Sequence, residues 1–243
     1  MERTRYKILE SLDEIKLLVK ACQEVGYASV DFETSSTKIY TDAFYPTILS
    51  VTFQPGQSCI IPLNHQDSPL KESWLSCLKY FGQHVIENPK ITKFAQNWKF
   101  DNQIFRKYGI FSRGTVIDSM LAKYLLNEER QHGLKEMVDI YLPAMSGYEN
   151  DPEFAKAPWD KKPLKPLAQY AACDTDATFR LCVFLEAKLI KLGFYTLYRN
   201  LIIPASITLQ GVERRGLAFD KEFNTQLSIK YTKLIDETKQ KLK

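Results

Sequence analysis

The sequence predicts an α/β fold, on three observations. A β-prone run, Tyr27–Glu33, is followed by two more, Thr47–Gln54 and Ser58–Pro62, joined by the turn dipeptide Pro55-Gly56. These three read as an antiparallel meander. Beyond them helical and extended patterns alternate, which favours a sheet with helices packed on it. Finally, the 243 residues are 44% hydrophobic and 26% charged, enough to build such a core without disulfides or a structural metal. That composition excludes a disordered chain, a fibrous repeat and a disulfide-stapled mini-protein.

Each element has its own signal. Ser11-Leu12-Asp13-Glu14 has the form of a capping box, and Leu12, Ile15, Leu18 and Cys22 then recur at helical spacing, so a first helix spans about Leu12–Glu24. After the meander, Leu70–Phe81 reads as a helix and Lys90–Phe94 as a short strand following Asn88-Pro89. Trp98–Tyr108 is helical and stopped by Gly109; Asp118–Leu126 and Leu134–Tyr141 are two more helices. From Ala144 to Pro166 the pattern dissolves around Pro152, Pro158, Pro163 and Pro166, giving a long irregular loop. Leu167–Leu192 is a strong helix, Tyr195–Arg215 another with Gly216 at its end, and Asp220 caps a last one.

The bulk chemistry excludes more than it assigns. The net charge of +4 neither proves nor forbids a nucleic-acid partner. Five scattered cysteines without a C-x-x-C pair suggest reduced thiols rather than zinc or disulfides. No apolar run reaches the ~18 residues of a membrane span, and Met1–Lys7 has no signal-peptide core behind it. A cytoplasmic location is the expectation. No GxxxxGK[S/T] or GxGxxG phosphate loop occurs.

The informative residues are carboxylates. Asp31 and Glu33 are two apart on a strand and so share one face, between apolar Val30 and Phe32. Like charges crowded there raise each other's pKa, and a hard divalent cation relieves them; solvation at an exposed strand end would do so too. Asn97 and Asp101 lie on one face at the start of a helix that follows a strand, where α/β sites tend to lie. Tyr170 and Asp174 are an i, i+4 pair on a long helix, with Ala171, Ala172 and Cys173 small enough for close approach to a sheet; Asp176 falls off that face.

Together, Asp31-Phe32-Glu33-Thr34, Gln96-Asn97-x-x-x-Asp101 and Tyr170-x-x-x-Asp174 resemble the three motifs of DnaQ-like 3′–5′ exonucleases, in the DEDDy branch. The resemblance extends to the proofreading domain of family A DNA polymerases. It is carried by Ile48–Leu63, by Tyr108-Gly109-Ile110 through Asp118-Ser119-Met120-Leu121 to Tyr124-Leu125-Leu126-Asn127, and by Gly133-Leu134-Lys135. Ile203-Pro204 and Glu213-Arg214-Arg215-Gly216 with Asp220 look like the approach to a polymerase thumb. The resemblance implies a ribonuclease H-like mixed sheet, the meander plus parallel strands, flanked by helices. It divides the chain into an exonuclease domain, 1–195, and a helical extension, 196–243.

The activity so implied is removal of 5′-nucleoside monophosphates from DNA 3′ ends. Two divalent cations, Mg²⁺ or Mn²⁺, about 3.5–4 Å apart would clamp the scissile phosphate. By resemblance Asp31, Glu33 and Asp174 hold the ion that activates water, Asp31 bridges to the second, and Asp101 reaches that one mostly through water. Tyr170 orients the attacking water. Thr34, Gln96 and Asn97 would contact the terminal nucleotides, although Asn97 could equally cap its helix. Where the family carries an apolar wedge this chain has Thr37, with Ile39 and Tyr40 near, so base stacking is expected on Tyr40, Phe44 or Tyr45.

The partner implied is single-stranded DNA or a frayed primer 3′ end. Lys90, Lys93, Lys99, Arg106 and Lys107 could track phosphates, but a solvated helix face is the expected reading, and His132 is read as structural. Phe223, Leu227, Tyr231, Leu234, Thr238 and Leu242 form an apolar stripe on the last helix, which suggests a polymerase part absent from the chain. Two alternatives stand beside the DNA exonuclease: an RNase D-like RNA exonuclease, and a catalytically silent 3′-end-binding module.

Overall fold

A computed structural model describes residues 4–129, 131–148 and 159–242. Six strands form one sheet: β1 Arg5–Ile8, β2 Tyr27–Thr34, β3 Pro46–Gln54, β4 Gln57–Pro62, β5 Thr92–Ala95 and β6 Val116–Asp118, in the order β1-β4-β3-β2-β5-β6. The pairs β2/β3 and β3/β4 are antiparallel, whereas β1/β4, β2/β5 and β5/β6 are parallel. The expected meander is therefore the centre of a mixed sheet. Gly56, with φ +80, makes the hairpin turn in the left-handed region that a side chain would oppose.

The helices are α1 Leu12–Val25, α2 Trp74–Phe81, α3 Trp98–Lys107, α4 Ser119–Leu126, α5 Leu134–Tyr141, α6 Leu164–Lys191, α7 Tyr195–Leu197, α8 Ile203–Arg215 and α9 Lys221–Lys241. Ser11 caps α1 by accepting the Glu14 N–H, while Glu14 reaches back to the N–H of Glu10, one residue before the cap. Helix α2 starts four residues later than its spacing predicts, because a turn closed by the Ser73 N–H on the Leu70 carbonyl precedes it. It then runs on through a π turn, Gly82–Ile86. Helix α6 starts at Leu164, ahead of prediction. Pro166 is accommodated in its first turn, where a missing N–H leaves no bond unmade. A second π turn, Tyr198–Ile202, joins α7 to α8 beside Pro204, whose ring cannot supply an amide to the preceding turn. Of the predicted loop Ala144–Pro166, residues 149–158 lie outside the described residues; Pro143–Met145 and Trp159–Lys161 are short 3₁₀ turns.

Helix α6 crosses one face of the sheet, against β1 to β5. Ile48 and Ile60 pack there on Leu167, Ala168, Ala171 and Ala172, while Leu49, Val51 and Ile61 point into the main core with Ile15, Leu18 and Leu78. The chain divides into two compact units, residues 1–210 and 211–243. Within the second, the Asp220 carboxylate accepts the Phe223 N–H and so caps α9.

Candidate active site

Strand alternation places the first two acids. Asp31 and Glu33 stand opposite Ser50 and Ile48 of β3, on the same face as Ser29, whose Oγ donates to the Thr175 carbonyl of α6 at 2.9 Å. Both acids therefore face α6, while Val30 and Phe32 enter the opposite core. Helix α6 approaches closely because it presents alanines, and Ser58 Oγ reaches the Ala172 carbonyl at 3.1 Å. Asp174 thereby joins Asp31 and Glu33, with one carboxylate oxygen from each lying within 4.8 Å of the others.

Asp101 arrives differently. Strand β5 pairs with β2 only from Tyr27 to Ser29. Beyond that point Asp101 Oδ1 of α3 accepts the Phe32 N–H at 3.1 Å, a backbone donor no strand takes up. Asp101 is thus bonded to the peptide between Asp31 and Glu33, and it is not within the three-acid group. It does share their field: Asp31 raises its pKa, and its own charge raises that of Glu33.

The cluster resists ionisation. Burial first, then the charge of Asp174, pushes Asp31 up to about 7, against the pull of Lys135. Burial, then Asp31 and Asp174, holds Glu33 well above the usual carboxylate range, and burial does the same for Asp101. Three oxygen donors converging in this way suit a small, hard divalent cation.

Asp174 carries a shell of donors that sequence reasoning missed. Lys135 Nζ and the Tyr148 hydroxyl both bond to its Oδ1, and Tyr170 hydrogen-bonds to it as well. Lys135 Nζ also lies 2.6 Å from the Tyr148 hydroxyl and over the rings of Tyr148 and Tyr170, at 4.0 and 4.4 Å. Burial and the Asp174 charge raise the pKa of both phenols, so they are donors and not bases at neutral pH. Lys135 was legible only as part of a helix start. Yet a cation in the first turn opposes the helix dipole, a sign that something else holds it. Tyr148 has no comparable sequence signal.

One second-motif expectation is corrected. Asn97 does not cap α3: it sits at φ 61 with no side-chain capping bond, and the buried Asp118 carboxylate takes that role. Asp118 also caps α4, and burial pushes it up to about 6 although four backbone N–H groups oppose the shift. The Gln96 amide is engaged at both ends, donating to the His132 carbonyl at 2.8 Å and accepting from Ser119 Oγ at 2.5 Å. His132 bonds the Asn127 carbonyl at 3.0 Å, as a structural residue does.

Lys93 is not on a solvated face. It is fully buried, its ammonium on the carbonyls of Asn88, Ile91 and Arg113, and burial lowers its pKa to about 8. Lys107 staples the loop after β2, donating to the carbonyls of Ile39 at 2.7 Å and Thr41 at 3.2 Å. At the end of β2, Thr34 Oγ1 donates to the Ser36 carbonyl at 2.9 Å. Phe44 is buried and Tyr45 is half-buried, with its hydroxyl on Asp160, whereas Tyr40 is 55% exposed and donates its hydroxyl to Gln103 Oε1 at 2.6 Å.

Comparison with known proteins agrees with this geometry. The model of the DNA polymerase A 3′–5′ exonuclease family matches residues 6–190. DNA polymerase I of Borreliella burgdorferi is 25% identical over 223 residues, 91% of this chain and 24% of the relative. The DNA polymerase of Escherichia phage T5 is 27% identical over 259 residues, 98% of this chain and 29% of its own. The chain thus spans about a quarter of the length of these relatives. Escherichia coli RNase D superposes with a TM-score of 0.65 at 19% identity, covering 88% of this chain and 52% of its own, a likeness of fold. No helix among the described residues is long and apolar enough to cross a membrane. The chain belongs to the 3′–5′ exonuclease family found in DNA polymerase I-type enzymes.

Proposed function

We propose that the chain removes 5′-nucleoside monophosphates from the 3′ end of DNA, with Mg²⁺ or Mn²⁺ held by Asp31, Glu33, Asp101 and Asp174, as the proofreading nuclease of a family A DNA polymerase. The observation that carries this reading is the convergence of Asp31, Glu33 and Asp174 within 4.8 Å, where burial holds Asp31 and Glu33 above the usual carboxylate range. Bound divalent cations would supply the charge that lowers the pKa of attacking water and steadies the leaving 3′-oxygen.

The chain's own residues do the rest. Asp31, Glu33 and Asp174 would hold the cation on the water side. Asp101, anchored on the Phe32 N–H, would serve the leaving-group side together with Asp31. The Tyr170 phenol stays protonated at neutral pH and so is not a base; its one O–H, donated to Asp174 here, would have to turn to the attacking water to orient it. Asn97, its amide not spent on capping, meets the terminal nucleotide beside Thr34. Gln96 acts through the strand end it braces, and Tyr40 offers the stacking ring. The polymerase part is the proposed partner, because the relatives bearing that name extend well beyond the matched region. A cytoplasmic site of action belongs to the same reading.

DNA is favoured over RNA because the sequence relatives are DNA polymerases, whereas the RNase D likeness is one of fold. The test is digestion of 5′-labelled DNA and RNA strands of one sequence with Mg²⁺, with EDTA, and with Asp31→Ala and Asp174→Ala. Stepwise shortening of DNA from the 3′ end, lost in both variants and in EDTA, is expected. Undiminished digestion by Asp31→Ala would overturn the assignment, and faster cutting of RNA would move the substrate to the RNase D class.

A further inference from the structure

The side of the acidic cluster nearest α5 is closed by a cation of the chain's own. Lys135 Nζ is bonded to Asp174 Oδ1, lies 2.6 Å from the Tyr148 hydroxyl and rests over two aromatic rings. Its position at the start of α5 is electrostatically unfavourable for an ammonium, so the contacts at Asp174 are what keep it there. Asp174 is also bonded by the Tyr148 and Tyr170 hydroxyls. An ammonium bonded to Asp174 Oδ1 and a divalent cation ligated by the same carboxylate would compete for its charge and repel each other.

We propose that Lys135, seated by Tyr148, is a resident counter-cation that neutralises Asp174 in the metal-free protein, and that divalent cations must displace it to complete their site. Lys135 is thus a positioning residue acting through Asp174. It stops three converging carboxylates from repelling one another before metal arrives, and it sets the affinity at which metal enters. Removing an ammonium that competes for the same oxygen, and whose charge repels an incoming cation, tightens metal binding. A purely structural lesion in α5 would loosen it. The inference rests on the metal-binding reading proposed above.

The experiment is Mn²⁺ binding to the full chain at pH 8.5, followed by the electron paramagnetic resonance signal of free Mn²⁺, with thermal unfolding in EDTA measured alongside. Lys135→Met is expected to bind Mn²⁺ roughly tenfold more tightly than wild type and to melt lower in EDTA, a gap that Mn²⁺ closes. Lys135→Arg, which keeps the charge, is expected to behave as wild type. Tyr148→Phe, which unseats the ammonium without deleting it, is expected to tighten binding by a smaller factor. This milder variant decides the question if Lys135→Met does not fold without metal. Equal or weaker Mn²⁺ affinity in folded Lys135→Met, or in Tyr148→Phe where it must decide, overturns the role of Lys135. No Mn²⁺ binding by wild type or any variant would instead sink the metal reading beneath it.

Discussion

Asp118 Oδ2 accepts the backbone N–H of Trp98 at 2.8 Å, so the end of β6 caps the helix that carries Asp101. Its Oδ1 takes the N–H groups of Asn97, Met120 and Leu121, at 3.2, 2.9 and 3.3 Å. The Tyr198 hydroxyl holds the same residue's backbone, accepting its N–H at 2.6 Å and donating to its carbonyl at 3.0 Å. One buried carboxylate therefore closes the N-termini of α3 and α4, and through α3 it fixes where Asp101 meets Phe32.

Asp118→Ala should accordingly destabilise the protein by about 2–4 kcal/mol, the loss of two helix caps. It should also cut nuclease activity although Asp118 touches no substrate. Asp118→Asn, which keeps one acceptor oxygen, should lose less of both. Urea unfolding and initial cleavage rates measure the two effects. An Asp118→Ala protein as stable as wild type would refute the double cap.

The raised carboxyls give metal-free stability a definite pH dependence. Asp31 is held up to about 7 and Asp118 up to about 6, from 3.8 for an ordinary Asp, and Glu33 and Asp101 are raised too. The folded protein keeps protons that the unfolded chain has already released, so stability falls as pH rises through the window from about 4 to about 7. Asp118 alone is worth about 3 kcal/mol of that fall. In EDTA the urea midpoint should be lower at pH 8 than at pH 5, and Mg²⁺ or Mn²⁺ should restore it at pH 8. A higher midpoint at pH 8 in EDTA would contradict these shifts.

The sheet's centre and the three acid-bearing segments were legible because period-2 alternation and short turn signals act locally. Alternation alone put Asp31 and Glu33 on one face. The small residues of α6 announced the close approach that brings Asp174 to them. What was not legible depended on partners far away in the chain. β1 is a four-residue edge strand and β6 has only three residues, too short for a pattern of their own. Asp118 read as the start of a helix, because nothing local marks a carboxylate serving two helices. Lys93 read as a surface charge, since the three carbonyls that swallow it come from loops the fold brings together.

Asp174 and Asp176 sit two residues apart on α6 and have opposite duties. Asp176 is fully buried away from the cluster, accepting from Thr4 Oγ1 at 2.7 Å, the Gly56 N–H at 2.9 Å and the Arg180 guanidinium at 3.0 and 3.2 Å. It ties the start of the chain and the β3–β4 turn to the helix. Asp176→Ala leaves that guanidinium without its carboxylate and should cost about 3–5 kcal/mol of stability, while Mn²⁺ affinity of the folded protein is unchanged. Asp174→Ala should abolish Mn²⁺ binding, and it too should lower stability, because it strands the Lys135 ammonium and two phenols. Calorimetric unfolding and metal titration of the two variants separate the roles, and loss of Mn²⁺ binding in folded Asp176→Ala would show them merged.

The residue after Asp101 tests how α8 is held to α3. Asn102 Nδ2 donates to Gln210 Oε1 at 2.7 Å, and both side chains are buried. Asn102 Oδ1 and Gln210 Nε2 are left without partners, so the pair makes one bond where two amides facing squarely would make two. A half-satisfied buried pair adds little net stability, yet breaking it from one side strands the other amide. Gln210→Met alone should therefore cost about 1–3 kcal/mol. Asn102→Leu with Gln210→Met, which removes every buried polar atom of the pair, should return to within about 1 kcal/mol of wild type. The double-mutant cycle, read from urea midpoints, should give a coupling close to the sum of the two single losses. Additive losses would mean that the bond contributes nothing, and that α8 is held to α3 by its apolar neighbours alone.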